Sequence, residues 1–235
     1  MRGDSPYQLD IIMPTPPEFK APFLPESFYH IVCKSIDGIL LFKEATDNHV
    51  FLKRFQQFTC PVFDVWSYCL LNNHTHHIVK TKSLTDGLEN IKKLERKTES
   101  MKAFMSDQSG KLHFGAMIER QMNSFLVSFA NYANNKYLRK GGLFQKPFRR
   151  IQIADDTHLQ QAIIYVHANA QKHNLVRDFK EHPYNSYSAI VNNDGSFTDT
   201  KNVIDFFDNV DNFKSIHKSQ VDHYYANNWP ASKLE

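Results

Sequence analysis

Between Val62 and Val79 the chain reads Val-Phe-Asp-Val-Trp-Ser-Tyr-Cys-Leu-Leu-Asn-Asn-His-Thr-His-His-Ile-Val, and this run restricts the fold more than any other. β-branched and aromatic residues fill both ends and polar Asn72-Asn73 interrupts them, so the pattern predicts two strands joined at Leu71 to Asn73. Alternation along the second strand puts His74 and His76 on one face, about 7 Å apart at Cα, and turns His77 to the other. Both imidazoles could then reach one metal ion. The pair alone fits equally well two polar residues on the wet face of a strand, because a chain with 12 histidines in 235 residues meets an H-x-H by chance.

Composition narrows the setting. Hydrophobic residues at 41% and aromatics at 13% supply the core of one large domain, or of one domain with an appendage. A net charge of +3 does not announce a nucleic-acid partner, so any such reading rests on where the charges lie. Cys33, Cys60 and Cys69 are odd in number, widely spaced and lack a C-x-x-C, which argues against a disulfide framework or zinc cluster and for a reducing compartment, the cytoplasm. No apolar run approaches the roughly 18 residues of a membrane span, and the N-terminus lacks a signal peptide's basic start and apolar core.

In chain order, the proline-rich residues 1–27 read as an extended lead-in. Phe28 to Cys33 is a strand pattern, Asp37-Gly38 a turn and Ile39 to Phe42 a short second strand, together a hairpin. Thr46-Asp47 can cap a helix carrying Val50, Phe51, Phe55 and Phe58, limited by Pro61. Helical periodicity returns from Thr85 to about Ser106, and again from about Leu112 to Tyr137, ended by Gly141-Gly142. Asp155-Asp156-Thr157 starts a helix from Leu159 to about His173, on which Tyr165 and Asn169 share one face. An aromatic turn comes next at Tyr184 to Tyr187, then the polar link Asn192 to Thr200 and an acidic helical segment from Val203 to Phe213. From Arg120 to Ala154 there are seven basic residues and no acidic one. Interleaved with Tyr137, Phe144 and Phe148, this mixture suits a phosphate backbone with stacked bases, although a cationic helix end also gains from the helix dipole.

With these pieces in order, the chain resembles the single-tyrosine HUH transposases, in particular the REP-associated tyrosine transposase branch. Phe28-Tyr29-His30-Ile31-Val32 looks like the opening strand of that family. Leu70 to Val79 resembles its M-P-N-H-x-H-hydrophobic signature, with Leu71-Asn72 in place of Met-Pro. Gly142 to Phe148 resembles its glycine-aromatic-Gln-x-Arg-Phe stretch, with Pro147 in place of Arg. Tyr165-Val166-His167-Ala168-Asn169-Ala170 looks like the Y-x-x-x-N-P helix, with Ala170 in place of Pro, and Tyr184 to Tyr187 like the W-S-S-Y turn. The correspondence runs from about Phe28 to Ser188, and more loosely to His217.

The resemblance implies an α+β fold, a ferredoxin-like antiparallel sheet with helices on one face, and a catalytic domain over residues 28–190 followed by a C-terminal helical extension over 191–235. It implies Tyr165 as nucleophile and His74, His76 and Asn169 as ligands of a divalent metal ion, Mg or Mn, with Zn compatible. The implied substrate is single-stranded or hairpin DNA, nicked and transferred through a 5'-phosphotyrosine by a monomer or homodimer. Lys136, Arg139, Lys140, Lys146, Arg149 and Arg150 are the expected backbone contacts. A relative that binds structured single-stranded DNA or RNA without cutting would keep the same fold and basic face. A small-molecule metal hydrolase fits less well, having no recognisable carboxylate base.

Overall fold

The computed structural model describes residues 19–107, 109–195 and 197–226. In chain order they form β1 (Phe28–Lys34), α1 (Ala45–Thr59), β2 (Phe63–Leu70), β3 (His74–Thr81), α2 (Leu84–Lys93), α3 (Glu99–Ser106), α4 (Phe114–Lys136), β4 (Arg149–Gln152), α5 (Asp156–Lys172), α6 (Tyr187–Val191), α7 (Thr200–Phe206) and α8 (Val210–Ala226). The strands make one sheet in the order β2-β3-β1-β4, and every neighbouring pair is antiparallel. The units β1-α1-β2 and β3-α4-β4 therefore interleave, each crossing over a strand of the other, which is the ferredoxin-like arrangement of an α+β protein.

The helices of that unit lie on one face, as expected. Phe51 and Phe55 of α1 and Phe125 and Phe129 of α4 pack with Tyr29, Ile31, Val65 and Val79 of the sheet. The chain beyond β4 adds a second helical layer on the opposite face, where α5, α7 and α8 enclose Trp66, Cys69 and Ile78 with Ile163, Val166, Phe207 and Phe213. The sheet is thus covered on both sides, which explains why α5 is apolar nearly all round. Residues 19–27 belong to the packed body: Phe23 is buried against Tyr29, Phe63 and Phe148, and the Tyr29 hydroxyl donates to Pro22 O at 2.7 Å. Residues 1–18 lie outside the described residues.

Three local expectations are corrected by strand pairing, capping or a backbone turn. Ile39 to Phe42 is not a strand: both edges of β1 are taken by β3 and β4, and Leu41 N–H instead donates to Asn72 O at 2.7 Å. The helix expected from Thr85 to Ser106 divides because Leu94 leaves helical geometry and the Thr98 hydroxyl caps a new helix by accepting Met101 N–H at 3.3 Å. The acidic segment after Val203 divides likewise into α7 and α8, with Asp208 between them at a φ of +67°. Helix α4 ends at Lys136 with Tyr137 as its cap, as its spacing indicates, and the chain turns at Leu138, with a φ of +51°, before the glycine pair is reached.

The join between α1 and α4 is polar. Asp47 accepts the amides of Lys43 and Glu44 at 2.9 and 3.0 Å, as a box at the head of α1. From α4 it also receives the Lys136 ammonium at 2.8 Å and the hydroxyls of Tyr132 and Tyr137 at 2.9 and 2.6 Å. Burial alone would raise the Asp47 carboxyl, but the ammonium, the hydroxyl and the two amides outweigh it and hold the group well below the usual carboxylate range.

A second buried polar assembly ties the outer layer to the sheet. Phe213 O can only accept, so His217 Nδ1–H donates to it at 2.7 Å and leaves His217 Nε2 to accept from His167 Nδ1–H at 2.9 Å. His167 Nε2 then accepts the Ser186 hydroxyl proton at 2.8 Å, and Ser186 Oγ accepts Tyr68 N–H at 2.9 Å. Every proton in the chain from β2 to α8 is assigned. Burial, reinforced by His217, holds His167 well below its ordinary value, and burial carries His217 down to about 3. On the other face His77, stacked on Phe55 at 4.4 Å, is likewise held at about 3, by burial and then by His30.

Histidines depressed in the folded state bind fewer protons than the unfolded chain below its pKa near 6.5, so stability is full above that value and falls as the pH drops. Each contributes a loss of about 1.4 kcal/mol per pH unit until its folded pKa is reached. Unfolding free energies from urea titrations at several pH values are expected to be level above about pH 7 and to fall steeply between about 6 and 4. A flat profile across that interval would contradict a neutral buried set.

Candidate active site

The layer between the sheet and α5 brings together the residues that the motifs singled out. His74 begins β3 and is half-buried; His76, two residues on, is completely buried on the same face. α5 crosses that face, its start fixed by Asp155 Oδ1 accepting His158 N–H at 2.8 Å. Tyr165, Asn169 and His173 succeed one another at four-residue intervals along the helix, so they share its inward stripe. The Tyr165 ring lies 5.9 Å from that of His76, and the His173 ring 5.0 Å from that of His74. Asn169, between them on the helix, is fully buried; its Nδ2 donates to Tyr165 O at 2.8 Å and its Oδ1 has no hydrogen-bond partner.

Both imidazoles are held from outside the pair, and for His74 the partner also sets the tautomer. His74 Nδ1 meets Asn73 Oδ1 at 2.7 Å, and since that oxygen only accepts, Nδ1 carries the proton and Nε2 the lone pair. His76 Nδ1 bonds His30 Nε2 at 2.9 Å, the two rings stacked at 5.1 Å, while His76 Nε2 is buried without a hydrogen-bond partner. Burial first, then His30, His74, His77 and His173, keep His76 well below its ordinary pKa, so it is a neutral imidazole. Metal ligands of this kind have one ring nitrogen held by an outer partner and the other left to coordinate.

Among the described residues no three His, Cys, Asp or Glu side chains form a ligating group, so a metal centre here would consist of two imidazoles and an amide. The donor atoms fit such a group: His76 Nε2 and Asn169 Oδ1 are buried polar atoms left unpaired, an arrangement that costs about 1–3 kcal/mol each unless something binds them. Tyr165 is 3% exposed, and Lys172, further along α5, places Nζ 3.2 Å from its hydroxyl and 5.0 Å from its ring centre.

Three residues of this cluster, His30, Lys172 and His173, are not among those the motifs indicate. His173 and Lys172 stand eight and seven positions after Tyr165, a helical repeat that marks both as its neighbours once Tyr165 is placed. His30 emerges from strand register alone, since it pairs with Ile78, next to His76 across the β1–β3 ladder.

The basic segment divides into engaged and open members. Lys136 is consumed by Asp47 and Glu44 at 2.8 and 3.0 Å. Arg150, 6% exposed, donates to Ala21 O at 2.6 Å and pairs with Glu119 at 3.0 Å. Both charges are thus engaged within the protein, Lys136 at a partly exposed position and Arg150 at a buried one. Arg139, bonded to Asn134 at 3.0 Å, and Arg149 are half-buried; Lys140 and Lys146 are exposed. Gln145 N–H donates to Lys34 O at 2.8 Å, which seats Lys146 beside the end of β1, where Lys34 pairs with His74. Arg149 pairs with Val32 and Val32 with His76, so Arg149 leaves the sheet on the histidine face.

No protein-family model matches the sequence, and no curated protein does. Among solved structures the chain is similar to a REP-associated tyrosine transposase bound to a REP hairpin, at 13% identity and a TM-score of 0.46, over 78% of this chain and 88% of that one. No helix among the described residues is long and apolar enough to cross a membrane.

The division of the basic segment predicts opposite phenotypes. Lys136→Met leaves the buried Asp47 without its ammonium and is expected to lower the unfolding free energy measurably, read by urea unfolding. Lys140→Gln with Lys146→Gln should leave the unfolding free energy within about 0.5 kcal/mol of the parent.

Proposed function

We propose that this protein nicks single-stranded DNA, in or beside a hairpin, and transfers the strand through a phosphotyrosine at Tyr165. The observation that carries the reading is the approach of the Tyr165 ring to within 5.9 Å of His76, on the helix face that also bears Asn169. His74, His76 and Asn169 would hold a divalent ion, Mg or Mn with Zn compatible with two imidazoles and an amide, which supplies charge neutralisation at the scissile phosphate when bound.

The chain's own residues account for the rest. A free tyrosine is about one part in a thousand phenolate at neutral pH, so its hydroxyl is a weak nucleophile. Lys172 Nζ, 3.2 Å away, favours the phenolate by charge and by donating a hydrogen bond. Tyr165 Oη attacks phosphorus, the bond to the 3' oxygen breaks, and the departing oxygen takes up a proton to replace the one the tyrosine released. A 5'-phosphotyrosine and a free 3'-hydroxyl result. Attack by the 3'-hydroxyl of another strand reverses the bond exchange and frees Tyr165. Asn73 keeps His74 in one tautomer and His30 holds the ring of His76 through its Nδ1, while Arg139, Lys140, Lys146 and Arg149 would contact the strand's phosphates.

One observation favours a second reading, a binder of structured single-stranded DNA or RNA that does not cut. Tyr165 is 3% exposed with its hydroxyl already engaged, so it must be uncovered before it meets a phosphate.

Labelled hairpin oligonucleotides incubated with the protein and Mn or Mg, then run on a denaturing gel, separate the two. The expected result is a slow protein–DNA band that disappears in Tyr165→Phe and with chelator. Tight binding across an oligonucleotide library without any covalent band would establish the binder instead. Lys172→Met is expected to slow band formation about 100-fold near pH 7 and less at pH 9, where the phenolate forms more readily.

A further inference from the structure

Beyond the C-terminal turn of α5 a cleft of about 480 Å³ opens, bounded by the Phe179–Glu181 turn, α6 and α8. Four cations line it: Arg177 and Lys180 from the segment after α5, Lys214 and Lys218 from α8. Its acids are Asp178 and Asp222, leaving an excess of two positive charges. Lys180 is paired with Asp178 at 2.9 Å. Among the described residues, Arg177, Lys214 and Lys218 have no ion-pair partner.

Arg177, Lys214 and Lys218 share the concavity with the single carboxylate of Asp222, so an excess of positive charge remains and an entering anion lowers their mutual repulsion. Lys214 and Lys218 are one helical turn apart, about 6 Å along the axis, which is close to the spacing of successive phosphates on an extended strand. Phe179 and Tyr187, in edge contact at 4.9 Å, form an apolar part of the wall. Gln171 lines it and adjoins Lys172, whose Nζ touches the Tyr165 hydroxyl, so cleft and candidate active site open at the same end of α5.

We propose that this cleft is a second phosphate-binding groove, holding the flank of a single DNA strand whose scissile phosphate lies at Tyr165. The assignment rests on the single-strand reading above, and it adds a stretch of backbone recognition on the opposite side of α5 from the basic segment before β4. Its function is to lengthen the bound strand.

The test compares the parent with the triple variant Arg177→Gln, Lys214→Gln, Lys218→Gln, by fluorescence anisotropy on thymidine oligomers of about 6 and about 20 nucleotides across about 50 to 200 mM salt. Circular dichroism and thermal melting establish that the variant is folded, and all three positions are outside the Tyr165 cluster. The expected result is unchanged binding of the short oligomer and at least 10-fold weaker binding of the long one. The slope of log K against log salt on the long oligomer should flatten by about 2, at about 0.7 per lost single-strand phosphate contact. Equal affinity and slope for parent and variant on the long oligomer would overturn the groove while leaving the active-site reading intact. Competition by polyglutamate as effective as by unlabelled oligomer would assign the cleft to acidic peptide and also overturn it. A parent protein that binds neither oligomer would overturn the groove, and one that also fails to bind labelled hairpins would bring down both readings.

Discussion

Strand β3 has a hydrogen-bonded neighbour on each edge and a helical layer on each face, and most of the structure depends on the register this enforces. Consecutive residues go to opposite sides: His77 stacks between Phe55 and the sheet, while His76 faces Tyr165. A slip of one residue would exchange the faces of the whole strand, turning His76 away from Tyr165 and moving Val79 and Ile78 out of the cores they fill. Such a slip is resisted twice, by the seven paired positions of β1 and by the pairing with β2, whose irregularity between Val65 and Ser67 is absorbed away from the histidines. The site inherits its precision from that ladder.

Buried polar groups are handled differently in the two layers. At the α1–α4 join, Asp47 gathers donors until its charge is compensated, and the result is a staple between helices far apart in sequence. In the α5 layer, imidazoles are kept neutral by burial and each proton is committed to a neighbour. His76 is the exception. One of its nitrogens is tied to His30 and the other is left unmatched inside a packed interior, a local frustration that the surrounding apolar contacts must sustain.

Periodic segments with strong local signals were legible: the β2–β3 pair with its Leu71–Asn73 connection, α1, α4 and α5 all fall where their apolar spacing indicates. The misreadings share a physical cause. Ile39 to Phe42 has the composition of a strand but finds both edges of β1 taken by β3 and β4, and β4 was invisible because four residues including Arg149, Arg150 and Gln152 carry no apolar alternation. Charge was legible as a local excess, yet the sequence does not reveal that Lys136 meets an acid 89 positions away, or Arg150 one 31 positions away. For the candidate site, the motif residues could be named in advance, whereas His30 becomes a neighbour only through strand pairing.

The proton chain through Ser186, His167 and His217 has a consequence for how the molecule is assembled. His167 stands in the middle of α5, but the acceptor that completes its hydrogen bonding lies 50 residues downstream, on α8. The β1-α1-β2-β3-α4-β4 unit can form during synthesis with its own aromatic core, as emerging segments generally do. The histidine face cannot close until α8 has emerged, so the side of the sheet that carries the candidate chemistry is the last to mature on the ribosome.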